Sequence, residues 1–349
     1  MAVGKKTYIT ILSVISAFCV VALHMSDFWS FSTSPNWVFS NLIESVCYFP
    51  VPIFFMISGA TLINYNIRYT TKEFFSKRFK RTVIPFLFFS AFSILYSVVV
   101  HKTQIENFSV YELINSIISY KYSSIYWFFP TLFTIYLCIP VIATIPEEKR
   151  KSIFKYVILI GFILSSLVPF LVNLTNGKIT SMPGLGFPIA QGNLIFIFIG
   201  YYIDNYEIPK KFKYAIYILG ILGLIFHFSS TYYLSHSAQY IVTTYKGYTT
   251  PHCIFYASAI FLLFKNIDFE KVSSFIIKIF DFFSGQTFGV YLIHMFLIPI
   301  ANKYLFIKFN NVFAYTYFYK TVGVVIIFIS CALITKLLQK IPVIKHLIP

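Results

Sequence analysis

The sequence predicts an all-α fold: a polytopic bundle of about ten membrane-spanning helices, forming one domain over residues 1–349. Two observations carry that expectation. Hydrophobic residues make up 58% of the chain and charged residues 11%, with a mean hydropathy of +0.74, which is more apolar surface than a soluble core of this size can hide. The apolar residues also recur in runs of about 17 to 25, the length a helix needs to cross about 30 Å of hydrocarbon at about 1.5 Å per residue.

The runs lie near 8–25, 42–65, 82–100, 127–145, 154–172, 192–203, 212–233, 253–264, 287–303 and 321–338, and the sixth and eighth are short. Lys5 and Lys6 flank the first run as in a signal peptide. It is nevertheless long, carries His24, lacks a clean small-x-small cleavage site and leads into nine more runs, so it reads as a retained helix. With 42 Phe and 27 Tyr against 14 Gly and 15 Pro, collagen-like, disordered and low-complexity chains are excluded. The formal charge of +16 names no partner, because cytoplasmic loops collect Lys and Arg, and no nucleic acid is expected.

With the N-terminus placed inside, 21 of the 28 Lys and Arg fall on the inner side. They include Lys5, Lys6, the clusters at 68–81 and 149–155, Lys213 and Lys265. The other 7 (Lys102, Lys121, Lys178, Lys246, Lys303, Lys308 and Lys320) fall outside. Both termini are predicted cytoplasmic, in a multi-pass protein of the cell membrane. The largest outer segments, 101–126 and 234–252, are too short for a folded domain, so any chemistry belongs to the bundle.

His24 lies sixteen residues beyond Tyr8, about 24 Å along an outward-running helix. An imidazole there serves either as an interfacial group satisfied by headgroups or as a base that takes a hydroxyl proton. His294 sits mid-run with Tyr291 on the same face, and needs a buried partner or a role in the chemistry. Pro50 and Pro52 remove two backbone donors and break or kink the second run, while Ser58 and Gly59 permit close approach of another backbone or a ligand. Glu44 is the one acidic residue within the ten apolar runs.

Lys77, Arg78 and Arg81 share one face if their segment is helical, and read either as a phosphate clamp or as a topogenic cluster. Trp127, like Trp29 beside Asp27, fits an aromatic belt or a sugar platform. Cys19, Cys47, Cys138, Cys253 and Cys331 are scattered without a C-x-x-C, so neither a metal cluster nor a disulfide framework is expected.

The His-bearing first helix, Phe54-Phe55-Met56-Ile57-Ser58-Gly59, Lys77-Arg78-Phe79-Lys80-Arg81 leading to Ile84-Pro85-Phe86, Tyr126-Trp127-Phe128 and Thr287-Phe288-Gly289-Val290-Tyr291-Leu292-Ile293-His294 occur in that order. Together they resemble the acyltransferase-3 family over nearly the whole length. The resemblance implies transfer of an acyl group, commonly acetyl, from cytosolic acetyl-CoA or another acyl-CoA to a hydroxyl of a cell-surface, exported or lipid-linked glycan. No metal is implied. The implied partners are membrane lipid, the glycan acceptor and proteins of polysaccharide biosynthesis.

Carried onto this chain, the resemblance makes His24 catalytic with His294 supporting it. Arg78 and Arg81, with Lys77, hold CoA phosphates, Ser58 and Gly59 line the acyl passage, and Trp127, Glu44 and Tyr291 stand at the acceptor. One departure is plain: the Arg that the family usually carries ten or eleven residues before the first-helix His is Ser13 here. Either another cation substitutes or the chemistry is altered. The alternatives are a transporter or flippase on the same fold, which calls for inverted repeats that the sequence does not show, and a glycan polymerase or ligase, which calls for outer arginines.

Overall fold

The first apolar run folds as one helix, α1 (Thr7–Met25), in a computed structural model that describes residues 6–100, 102–103, 109–306 and 313–348. Lys5, His101 and Lys308, used above to sort charges and loops, lie outside the described residues. The second run divides where its prolines require. α2 (Pro35–Val46) ends at Cys47, and α3 (Pro50–Leu62) restarts with Pro50 in its first turn, where a missing N–H costs nothing.

α4 (Thr71–Arg78) opens with a capping box: Thr70 Oγ1 accepts from the Glu73 N–H while Glu73 accepts from the Thr70 N–H. The hydrogen bond from the Thr70 backbone holds the Glu73 carboxyl below the usual glutamate range. A π-turn at Phe79–Val83 then leads into α5 (Ile84–Val100). α6 (Val110–Ile118) is short and is followed by α7 (Phe128–Ala143); α8 (Glu147–Phe162) and α9 (Val168–Leu174) form one long element through a second π-turn.

The remaining helices are α10 (Ile195–Asn205), α11 (Lys210–Ala238), α12 (Pro251–Asn266), α13 (Ser274–Ser284), α14 (Thr287–Ala301), α15 (Phe313–Phe318) and α16 (Val324–Leu338). The all-helical class is as expected, with no strand among the described residues. Among the described residues eight helical segments are long and apolar enough to cross a membrane, against ten expected runs. The two short runs became α10 and α12, of 11 and 16 residues, about 16 and 24 Å long. Eight of the eleven residues of α10 are buried, so its length answers to neighbouring helices rather than to the bilayer.

Glycine sets the approach of α3 to α10. A Cβ on Gly59 would lie 2.0 Å from the Ile197 carbonyl oxygen, and one on Gly200 would lie 2.1 Å from that of Met56. The two backbones touch at this crossing, as small residues allow between membrane helices. Gly59→Ala is expected to lower stability by about 1–3 kcal/mol, because rigid backbone rather than a movable side chain must give way. A melting curve of the detergent-solubilised protein checks this, and an unchanged midpoint contradicts it.

Charges sort to the two ends of the bundle. At one end Lys6 and Tyr8 both meet the Asp204 carboxylate at 2.5 Å, Lys265 donates to the Ile203 carbonyl, and Lys213 donates to Asn266 at 2.7 Å. At the other, Lys320 donates to Ser40 Oγ at 2.6 Å and lies 3.9 Å from Asp27, while the Lys246 ammonium sits 4.6 Å from the Phe28 ring centroid. His24, near the end of α1, belongs to this second end.

Candidate active site

His24 projects from the last turn of α1 and keeps an accessible face. Its ring centroid lies 5.1 Å from that of His294, which is fully buried in α14. His294 Nδ1 is 3.0 Å from the Val290 carbonyl of its own helix. A carbonyl only accepts, so Nδ1 carries the hydrogen and Nε2 presents a lone pair. Nε2 is buried without a partner among the described residues. A lone pair so placed can accept from a hydroxyl brought against it. The sequence placed these two histidines separately, and the fold makes them neighbours.

Aromatic rings continue from this pair. Tyr291 lies 6.2 Å from His294 and 5.7 Å from Phe128, which stacks on Phe55 at 5.0 Å. The Tyr291 hydroxyl is already engaged, donating to the Ile125 carbonyl at 2.6 Å, and Tyr126 donates to the Leu292 carbonyl at 3.1 Å. These bonds fasten the start of α7 to α14. Trp127 stacks on Tyr248 at 5.7 Å, and Tyr248 on Tyr48 at 4.5 Å, so three half-buried rings form a shelf. Tyr48 and Tyr248 had no motif to mark them. They meet because the α2–α3 break and the loop before α12 converge, with the Tyr48 hydroxyl donating to the Lys246 carbonyl at 3.0 Å.

Glu44 lies behind this shelf rather than on it. It is 7% exposed, paired with Lys246, and 3.5 Å from His227 Nε2. The expected acceptor contact is thus spent on an internal ion pair, which the sequence hid by placing Lys246 some two hundred residues away. Burial draws the Lys246 amine below the usual lysine range, against the opposing pull of Glu44.

At the opposite end the expected three-residue basic face is divided. Arg78 turns inward, its guanidinium 5.7 Å from the Phe74 ring and 5.6 Å from that of Tyr136, with Nε buried and unpartnered among the described residues. Arg81 is exposed, and the Lys77 ammonium sits 3.4 Å above the Tyr69 ring. The cause is the π-turn at Phe79–Val83, whose wider winding breaks the three- and four-residue spacing assumed for a continuous α-helix. Ser58 donates to its own helix at the Phe54 carbonyl, 2.9 Å away, and Gly59 faces Ile197 rather than an open passage. Ser13, where the resemblance leads one to expect Arg, donates to the Ile9 carbonyl at 2.9 Å.

Arg150, which the charge count placed in the inner cluster at 149–155, is 4% exposed. Its guanidinium donates to the Ala143 and Ile145 carbonyls at 2.9 and 2.8 Å, to the Tyr201 hydroxyl at 3.2 Å, and to Asn64. It closes the end of α7 and ties α8 to α10 and to the chain after α3.

No curated protein and no solved structure matches the chain. The family model Acyl_transf_3, an acyltransferase domain, matches residues 6–336 and so takes in the first-helix histidine, the basic turn before α5, the aromatic start of α7 and the histidine of α14. With a match over nearly its whole length, the chain belongs to the acyltransferase-3 family and is a multi-helical membrane acyltransferase.

Proposed function

We propose that the protein moves an acetyl or other short acyl group from cytosolic acyl-CoA to a hydroxyl of a cell-surface or exported glycan, at the cell membrane. The observation that carries this reading is the His24–His294 pair: an accessible imidazole against a buried one whose Nε2 has no partner. A thioester is already activated, so the protein must align it with a hydroxyl and manage one proton. His24 takes that proton as the alcohol oxygen attacks the thioester carbonyl. The C–S bond breaks, an ester forms, and the departing CoA thiolate receives the proton.

His294 Nε2, fixed as an acceptor by the Val290 carbonyl, supports His24 or a bridging hydroxyl. The Trp127–Tyr248–Tyr48 shelf suits the apolar face of a sugar ring, with Tyr291 beside the histidines. Arg78 is the inward cation best suited to a CoA phosphate, with Arg81 and Lys77 at the rim. In place of an arginine at Ser13, the reading leaves charge stabilisation of the oxyanion to other groups.

Membranes bearing the protein are expected to transfer label from acetyl-CoA to glycan, and mass analysis of surface glycan should show an ester that disappears with the gene. Glycan of unchanged mass together with vectorial movement of an unmodified solute would assign the bundle to transport instead.

A further inference from the structure

Away from the histidine pair, α11 and α12 bring together three buried side chains that the acyl-transfer reading does not use. His227, His252 and Cys253 are 3%, 7% and 5% exposed. His227 Nδ1 lies 3.4 Å from His252 Nε2 and 3.6 Å from Cys253 Sγ, and the three atoms all fall within 4.8 Å of one another. Zinc bound at about 2.0–2.1 Å by nitrogen and about 2.3 Å by thiolate separates tetrahedral ligands by about 3.3–3.6 Å. Two edges of such a tetrahedron are therefore already present.

We infer that His227 Nδ1, His252 Nε2 and Cys253 Sγ form a three-ligand site for a zinc-class transition-metal ion. The donor set, two imidazoles and a thiol, is one that zinc favours. As hydrogen bonds, the same contacts are long, and they crowd two nitrogens and a sulfur around one point.

The surroundings have the form expected of a metal site's outer layer. With Nδ1 on a metal, the His227 ring hydrogen moves to Nε2, on the side of Glu44 Oε2, 3.5 Å away, where a carboxylate can orient the ring. As the structure stands, the Lys246 ammonium, paired with Glu44, donates to this same Nε2 at 2.9 Å, so loading the metal at Nδ1 requires the ammonium to turn onto the carboxylate alone. Thr250 Oγ1 lies 3.1 Å from His252 Nε2, so a hydroxyl or a water can complete the tetrahedron. Binding exchanges the Cys253 S–H for an S–metal bond and releases that proton to solvent.

Such an ion cross-links α11 to α12 directly below the loop that carries Lys246 and Tyr248. The inference goes beyond acyl transfer and does not depend on it.

The test uses the full chain in detergent, purified through a tag without histidines. Wild-type protein incubated with Zn2+ and passed through gel filtration is expected to keep one metal per chain. Co2+ in its place should give tetrahedral visible bands and a near-ultraviolet thiolate-to-cobalt band. Cys253→Ser should abolish the thiolate band, His252→Ala should abolish stoichiometric binding, and Glu44→Gln should weaken affinity about 10- to 100-fold. Should a variant fail to fold, the wild-type spectrum alone decides. Substoichiometric metal with no thiolate band in the wild type overturns the site, as does a Cys253→Ser protein that keeps the wild-type cobalt spectrum.

Discussion

His24→Ala is expected to lower acyl transfer by about a thousandfold while leaving the melting midpoint and the elution of the solubilised protein unchanged. The split between the two readouts follows from how the ring is held. Among the described residues no hydrogen bond anchors the His24 imidazole; it keeps an accessible face and has the His294 ring 5.1 Å away. Truncating it removes little packing but removes the base on which the proposed transfer depends. His294→Ala should behave differently. That ring is fully buried, so its loss opens a cavity and is expected to lower both stability and transfer. Imidazole supplied in the assay should restore part of the activity of His24→Ala, since the deleted side chain leaves a space with access from outside. Wild-type rates in His24→Ala would remove this residue from the mechanism.

The helical class and the histidine pair were legible in the sequence to different degrees. Hydropathy reports composition along a run, and eight of the ten runs lie in helical segments, among the described residues, that are long and apolar enough to cross a membrane. It does not separate a run that faces lipid from one enclosed by protein, so α10 and α12 were counted as spans although each is shorter than the hydrocarbon is thick. Lys246 and Lys320 gather at the His24 end, and Lys6, Lys213 and Lys265 at the other.

What stayed hidden were contacts between residues far apart in the chain. Nothing near Glu44 announces Lys246, and nothing near His252–Cys253 announces His227. Local spacing even misled at Lys77, Arg78 and Arg81, because it assumes uninterrupted α-helix and a π-turn intervenes. Of the two readings at Gly59, another backbone or a ligand, the structure takes the first: the space is filled by the backbone of Ile197. A small residue in a membrane helix signals close approach without naming what approaches.

Arg150 gives the largest stability effect expected of any single cation. Arg150→Met removes a guanidinium that serves four acceptors and leaves the Ala143 carbonyl and the Tyr201 phenol buried, and the Ile145 carbonyl and the Asn64 amide oxygen half-buried, without it. Hydrogen bonds to charged groups contribute about 1.5–3 kcal/mol each, but they act here as a unit, and the expected loss is about 3–5 kcal/mol. Lys149, its neighbour in the same basic cluster, is exposed, so Lys149→Met should cost within about 0.5 kcal/mol.

The pair of variants separates two roles that the sequence merges. If the cluster only orients the chain in the membrane, both substitutions remove one positive charge and should shift topology and stability alike. If Arg150 closes the end of α7, its variant alone melts early. Arg150→Lys should fall between the two, because an ammonium keeps the charge but cannot reach the Ala143 and Ile145 carbonyls, Asn64 and Tyr201 with one planar fork. Equal melting midpoints for Arg150→Met and Lys149→Met would show that these hydrogen bonds contribute nothing beyond charge.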